Sequence, residues 1–254
     1  MKNKIDRLIK CARGEISVYC HVLDEAEPRY CYKSNHVMSS ASTIKTPIML
    51  AVLDQVYQYR LRLDDKICVD NICEDTQVFD CGARRASILE LLVWMITLSD
   101  NTSTNALIDL VGFDKINHYM SYELGLTQTV LRRKMLDFVS RQNGCDNLTT
   151  ACDMYKIFRK LFCGEILDPE LCGEAIWILK KQRNGKLFTR YIWEDVILAH
   201  KTGGLDYLSH DTGVFTLDGR QVFLGVLVQN APDIDGDPKL IGRVARTVYD
   251  MFCG

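Results

Sequence analysis

Asp211-Thr-Gly-Val-Phe-Thr-Leu-Asp-Gly-Arg-Gln-Val-Phe-Leu-Gly-Val-Leu-Val-Gln229 sets two β-rich apolar runs on either side of Asp218-Gly219, a dipeptide that accepts the positive φ of a tight hairpin. The stretch predicts two antiparallel strands. Upstream, Val196-Ile-Leu-Ala-His-Lys-Thr202 predicts a third strand, and downstream Pro238 to Phe252 has the apolar spacing of an amphipathic helix. The other end of the chain repeats this vocabulary. Residues 3 to 12 place Ile5, Leu8, Ile9 and Ala12 at helical spacing, and Ile16-Ser-Val-Tyr-Cys-His-Val-Leu23 and Arg29-Tyr-Cys-Tyr-Lys33 read as strands around the polar turn Asp24 to Pro28. Between the ends, from about residue 42 to 186, the pattern is almost wholly helical: Ile48 to Tyr59, Ser87 to Leu98, Thr102 to Val111, Lys115 to Glu123, Ala151 to Phe162 and Glu170 to Lys180. Short connections favour antiparallel pairing. The expected fold is therefore α/β of the α+β type: one antiparallel sheet of about five strands drawn from both termini, flanked by terminal helices, with an all-helical subdomain inserted. No repeat or Pro/Gly-rich linker divides the chain, so a single domain over 1–254 is expected, its sheet part about 1–37 plus 187–254 and its helical part about 38–186.

Composition narrows the function classes. The chain has 254 residues, 47% hydrophobic and 25% charged, with 31 Lys+Arg against 33 Asp+Glu and a formal net charge of -2. A balance so close to neutral supplies no clustered positive field, so neither nucleic acid nor an anionic membrane surface is expected as a partner. No apolar run approaches the roughly 20 residues that span a bilayer. Met1-Lys-Asn-Lys-Ile-Asp-Arg7 reads into the first helix without a signal-peptide core, so a cytoplasmic protein is expected, an exported mature form being the alternative. Eleven cysteines, an odd number in a chain too large to need staples, point to a reducing compartment. Cys11, Cys20 and Cys163 read as core positions. Cys68, Cys73 and Cys81 are separated by four and seven residues and lack the paired C-x-x-C of structural zinc, so no metal and no cofactor are expected. The partner left is a small-molecule substrate, and a monomer is expected.

Three short motifs carry chemistry. Ser42-Thr43-Ile44-Lys45 stands where Ser39-Ser40-Ala41 gives way to an apolar helix, and positions i and i+3 share a helix face. A serine hydroxyl becomes a nucleophile when a neighbour accepts its proton, and a lysine whose ammonium form is disfavoured can do so. The Ser42 N–H, unpaired at a helix N-terminus, would offer half of an oxyanion hole. The bland alternative is a capping serine with a solvated lysine, and S-x-x-K arises by chance roughly once in a chain of this length. Ser99-Asp100-Asn101 follows a helix and offers a hydroxyl for proton relay and an amide for a substrate carbonyl, or else a plain N-cap cluster. Lys201-Thr202-Gly203 ends a predicted strand, where a cation and a hydroxyl would grip a carboxylate, or else is an ordinary strand end. Each of these last two motifs is expected by chance in only about one chain in twenty.

Together the trio resembles the signature of class A β-lactamases and penicillin-binding proteins. Ser42 to Ser99 is 57 positions and Ser99 to Lys201 is 102, spacings similar to the class A family. Met95-Ile-Thr-Leu-Ser-Asp-Asn-Thr-Ser-Thr-Asn-Ala-Leu-Ile108 resembles its central helix junction, and His200-Lys-Thr-Gly-Gly204 its catalytic strand. The resemblance implies the β-lactamase/transpeptidase-like fold, Ser42 as the acylated nucleophile, Lys45 as its proton acceptor, and Ser99 as the relay to the leaving nitrogen. It implies Asn101 as a substrate and lysine ligand, Lys201 and Thr202 as carboxylate binders, and the N–H groups of Ser42 and Gly204 as the oxyanion hole.

One half-reaction departs from the family pattern. Class A enzymes use a loop glutamate to activate the deacylating water. Gap-free alignment from Ser99 places Met135 at that position, in Leu131-Arg-Arg-Lys-Met-Leu-Asp-Phe-Val-Ser140, and Val139 where the companion asparagine would stand. Asp137 is the nearby carboxylate nominated as a replacement base, the alternative being a loop carboxylate paired with Arg132 or Arg133. His200 and His210 would contact a substrate carboxylate or pack within strands, and Pro47 should remove a backbone hydrogen bond near the helix start and bend the turn bearing Lys45. The expectation is a serine acyl-hydrolase that β-lactams acylate readily and water releases slowly. The competing readings are a D-alanyl peptidase or transpeptidase-like acyltransferase and a non-catalytic binding module.

Overall fold

A computed structural model describes residues 1–79, 84–183 and 186–254. Helix α1 (Lys2–Cys11) leads into strands β1 (Glu15–Val22) and β2 (Tyr30–Tyr32). The chain then passes through β3 (Met38–Ser39), a 3-10 turn over Ala41–Ile44, α2 (Lys45–Tyr57), β4 (Lys66–Cys68), β5 (Arg85–Ser87), α3 (Ile88–Thr97) and α4 (Asn101–Val111). There follow α5 (Phe113–His118) with a π-turn over Tyr119–Glu123, α6 (Phe138–Gln142), β6 (Leu148–Thr149), α7 (Ala151–Phe162), α8 (Pro169–Lys180) and a 3-10 turn over Phe188–Tyr191. It returns through β7 (Ile197–Leu205), β8 (Leu208–Leu217), β9 (Arg220–Gln229) and α9 (Pro238–Cys253).

Five strands form one sheet in the order β2-β1-β9-β8-β7, with every neighbouring pair antiparallel. The two ends of the chain meet at its centre, where β1 pairs with β9 from Glu15↔Gln229 to Val22↔Val222. Asp218 (φ 47°) and Gly219 (φ 73°) turn the β8–β9 hairpin with the left-handed backbone that their residue types permit. One sheet face, including Val18, Phe215 and Val226, packs on Ile5 and Ile9 of α1 and Val244 and Val248 of α9. The opposite face, including Tyr19, Val214, Phe223 and Leu227, packs on the helical layer through side chains such as Phe158 and Leu161. Both faces are covered, which is why β9 reads as a nearly continuous apolar run.

At the centre of the helical layer, every residue of α2 from Lys45 to Leu53 is buried. Such a helix needs no polar face. Its first residue is therefore a lysine carried into the interior. Pro47 lies in the first turn of α2, where helix N–H groups lack intrahelical partners, and the helix continues through it to Tyr57. Strand β7 runs three residues beyond the expected end because pairing with β8 continues to Leu205↔Leu208, so the Lys201-Thr202-Gly203 motif lies inside the strand. Cys11 and Cys163 are exposed, since they stand at helix ends that emerge into solvent, whereas Cys20 is buried in the sheet. Cys81 lies outside the described residues.

Candidate active site

Three segments bring the motif residues together. The first is the 3-10 turn: Ala41 adopts φ 44°, Ser42 follows it, and the Lys45 N–H donates to the Ser42 carbonyl, so the two side chains rise one turn apart. The second is the α3–α4 junction. Asp100 is the N-cap of α4, accepting from Ser103 N (2.6 Å) and Ser103 Oγ (2.6 Å), and it also accepts from Thr76 Oγ1 (2.7 Å). This buried carboxylate fixes the junction and leaves Ser99 (φ 57°) and Asn101 on either side of it. A left-handed non-glycine backbone costs on the order of 1 kcal/mol and persists where its surroundings dictate it. The third segment is β7. A Cβ on Gly203 would stand 3.2 Å from Ala41 Cβ, Ser40 O and Thr43 Cγ2, so the bare glycine lets the strand lie against the turn that bears Ser42.

The junction is wired through Ser99. Lys45 Nζ donates to Ser99 O (2.6 Å), Asn101 Oδ1 (2.7 Å) and Ser99 Oγ (3.1 Å). Lys201 Nζ donates to the same Ser99 Oγ (3.1 Å) and to Thr202 O (2.9 Å). Both lysines are fully buried. Burial lowers the Lys45 pKa to about 7 against the opposing pull of Asp100, Asp75 and Cys73. Burial also lowers that of Lys201, helped by the Lys45 charge and opposed by Asp211. Two amines sharing one hydroxyl in a dry environment disfavour a second positive charge, which leaves a neutral amine available near pH 7.

Above them opens a cleft of about 680 Å³ lined by Ser42, Ser99, Asn101, Thr202 and Gly204, with Asp75, Asp206 and Asp235 also contributing to its lining. A Cβ on Gly204 would meet nothing within 4 Å. Lys45 and Lys201 lie beneath the lining. Seven of the residues singled out in the sequence thus converge, although they come from positions 42 to 204.

Residues 1–252 match the profile of the beta-lactamase enzyme family. The chain belongs to that family. It is an enzyme family of hydrolases acting on β-lactams. Among its relatives the chain is 22% identical to the extended-spectrum beta-lactamase PER-1 of Pseudomonas aeruginosa, over 99% of this chain and 87% of that one. The structure superposes with a TM-score of 0.91 on a beta-lactamase from Chitinophaga pinensis, at 22% identity and 98% coverage of both chains. It superposes with a TM-score of 0.87 on PBP-A, there a Leu-to-Glu variant in an acyl-enzyme complex with penicillin G, at 26% identity and 98% and 94% coverage.

In this beta-lactamase-family chain the loop from Leu131 to Asn147 is held without a carboxylate in the cleft lining from that loop. Met135 is buried in the helical core. Its N–H donates to Asn105 Oδ1 (2.8 Å) and its carbonyl accepts from Asn105 Nδ2 (3.2 Å), so one side chain clamps the backbone of the residue on both sides. Asn105 is not among the residues that the three motifs single out. The available signal was its position four residues after Asn101, on the same face of α4. Asp137 is not brought into the cleft: it caps α6, accepting from Ser140 N (2.9 Å) and Ser140 Oγ (2.6 Å). Arg133 pairs instead with Asp146 at 2.8 Å.

The two histidines pack within the sheet. His200 Nδ1 lies 2.8 Å from the buried Asp211 Oδ1, and His210 Nε2 lies 2.8 Å from Ser39 O. Among the described residues no group of three or more His, Cys, Asp or Glu is arranged to hold a metal, and no helix is long and apolar enough to cross a membrane.

Proposed function

We propose that residues 1–254 form one catalytic domain, a serine acyl-hydrolase that opens the β-lactam amide through an acyl-enzyme on Ser42. The observation that carries this reading is Ser99 Oγ held at 3.1 Å by two buried lysines, one of them on the turn that bears Ser42. Neutral Lys45 takes the Ser42 hydroxyl proton as Oγ adds to the lactam carbonyl. The oxyanion is met by the N–H groups of Ser42 and Gly204. When the C–N bond breaks, the leaving nitrogen takes a proton from Ser99 Oγ, which is replenished from the adjoining protonated amine. Asn101 holds the substrate amide, and Lys201 with Thr202 binds its carboxylate.

Release is slow in this reading. Met135 has no group that can accept a proton from water, and Asp137 is committed to capping α6. Intact-protein mass spectrometry after mixing with penicillin G tests the proposal. A long-lived adduct that disappears in Ser42→Ala is expected; rapid lactam loss without an adduct would overturn slow release, and no adduct with no loss would overturn the nucleophile. The likeness to PBP-A and the absence of a loop carboxylate from the cleft favour one second reading, a penicillin-binding acyltransferase on D-alanyl peptides. An added amine that outcompetes water for the acyl group would support it.

A further inference from the structure

The cleft contains a carboxylate that the reaction above does not use. Asp75 Oδ2 accepts a hydrogen bond from Asn101 Nδ2 at 2.7 Å, while Asn101 Oδ1 accepts from Lys45. The amide is thus oriented from both ends, oxygen to the amine and nitrogen to the carboxylate. A terminal amide nitrogen carries two N–H groups. One is given to Asp75, and the other remains for a substrate carbonyl. Asp75 is exposed in the cleft lining, and among the described residues no lysine or arginine forms an ion pair with it. The described lining includes Asp206 and Asp235 and holds no lysine or arginine. The mouth is therefore negative over a floor that contains two buried amines.

We propose that Asp75 is a specificity-determining residue that selects acyl donors bearing an ammonium group on the acyl side chain. This inference rests on Ser42 as the acylated nucleophile and Asn101 as the holder of the substrate amide. A group one or two bonds beyond the amide carbonyl held by Asn101 comes within reach of the Asp75 carboxylate. An ammonium there gains a charge-assisted hydrogen bond. A carboxylate at the same point meets a like charge. The favoured ligand is zwitterionic, its carboxylate toward Lys201 and Thr202 and its ammonium toward Asp75, as in a β-lactam or D-amino-acid amide with a free α-amino group.

Ampicillin and carbenicillin test this, because they differ by an ammonium against a carboxylate on the same side-chain carbon. Acylation of Ser42 is timed by intact-protein mass spectrometry at pH 6.5 and low salt, where an α-amino group is protonated. The expected result is acylation about tenfold faster by ampicillin than by carbenicillin, a ratio that Asp75→Asn brings close to one and Asp75→Glu retains. High salt should shrink the wild-type ratio, because an exposed charge is screened. Equal rates in the wild type, or a ratio that survives in Asp75→Asn, would overturn the inference. If Asp75→Asn does not fold, a wild-type ratio indifferent to salt overturns it. Absence of any adduct with penicillin G, ampicillin or carbenicillin, with none of them consumed, would instead overturn the acyl-enzyme reading, and this inference with it; if they are consumed without an adduct, the same ratio is read from the rates of lactam loss.

Discussion

Around Ser99, three separate segments supply a turn, a helix junction and a strand, and two fully buried lysines converge on one hydroxyl. Around Met135, 36 positions further on, the backbone is clamped as firmly by Asn105, yet the side chain is a thioether and the nearest nominated carboxylate is spent on a helix cap. The contrast shows that rigidity and chemistry are separable. The loop is held in place by paired hydrogen bonds, while the groups to which the proposed reaction assigns proton transfer lie around Ser42. In the reaction proposed above, one half of the two steps is provided for and the second is left to unassisted water.

Ser42→Ala should give the largest effect, complete loss of the adduct, and a mass spectrum still showing a penicilloyl adduct would break the contrast at its stronger end. Lys45→Met should slow acylation by about 10³-fold, within the span assigned to positioned acid–base groups. Wild-type acylation should rise with pH through about 7, as Lys45 loses its proton, and level off above. The linked stability effect has a definite sign. Because the folded pKa lies below the unfolded 10.5, the unfolded chain binds more protons between about 7 and 10.5, and stability rises with pH across that window. Melting temperatures at pH 7 and pH 9 should show this slope in the wild type and less of it in Lys45→Met.

Met135→Glu sharpens the comparison from the other side. With its backbone already fixed by Asn105, a carboxylate there should shorten the adduct lifetime by about 10²-fold or more, read as recovery of free enzyme after penicillin is removed. An unchanged lifetime would show that the clamp does not aim residue 135 at the acyl group. Gly203→Ala should cost about 1–3 kcal/mol and slow acylation, since its Cβ would press on the Ser42 turn. A urea midpoint equal to wild type would contradict that close approach. Asp137→Ala should have the smallest effect, a slightly lower melting temperature from the lost cap with adduct lifetime unchanged; a longer lifetime would restore Asp137 as the base.

Much of the fold was legible because local patterning agrees with the final packing. The Asp218-Gly219 turn, the strand runs at both ends and the helix Ala151 to Phe162 follow from turn chemistry and apolar period alone. The motif residues were legible because their types are chemically scarce combinations. Element ends were less so: β7 passes through its glycines because β8 continues to pair with it, a long-range cause that no local window contains.

The sequence by itself determined the sheet's strands, the helical insertion and the three motifs, since each depends on residue type and near spacing. Tertiary structure alone decided that Lys45 and Lys201 are buried and meet at Ser99, that Asn105 clamps Met135, that Asp75 binds Asn101, and that Asp137 turns away to cap α6. The physical reason is that burial, pKa and hydrogen-bond partners belong to pairs of groups brought together by packing, often across tens of residues. Composition and period say which groups are available, and only the packed chain says which of them share a proton.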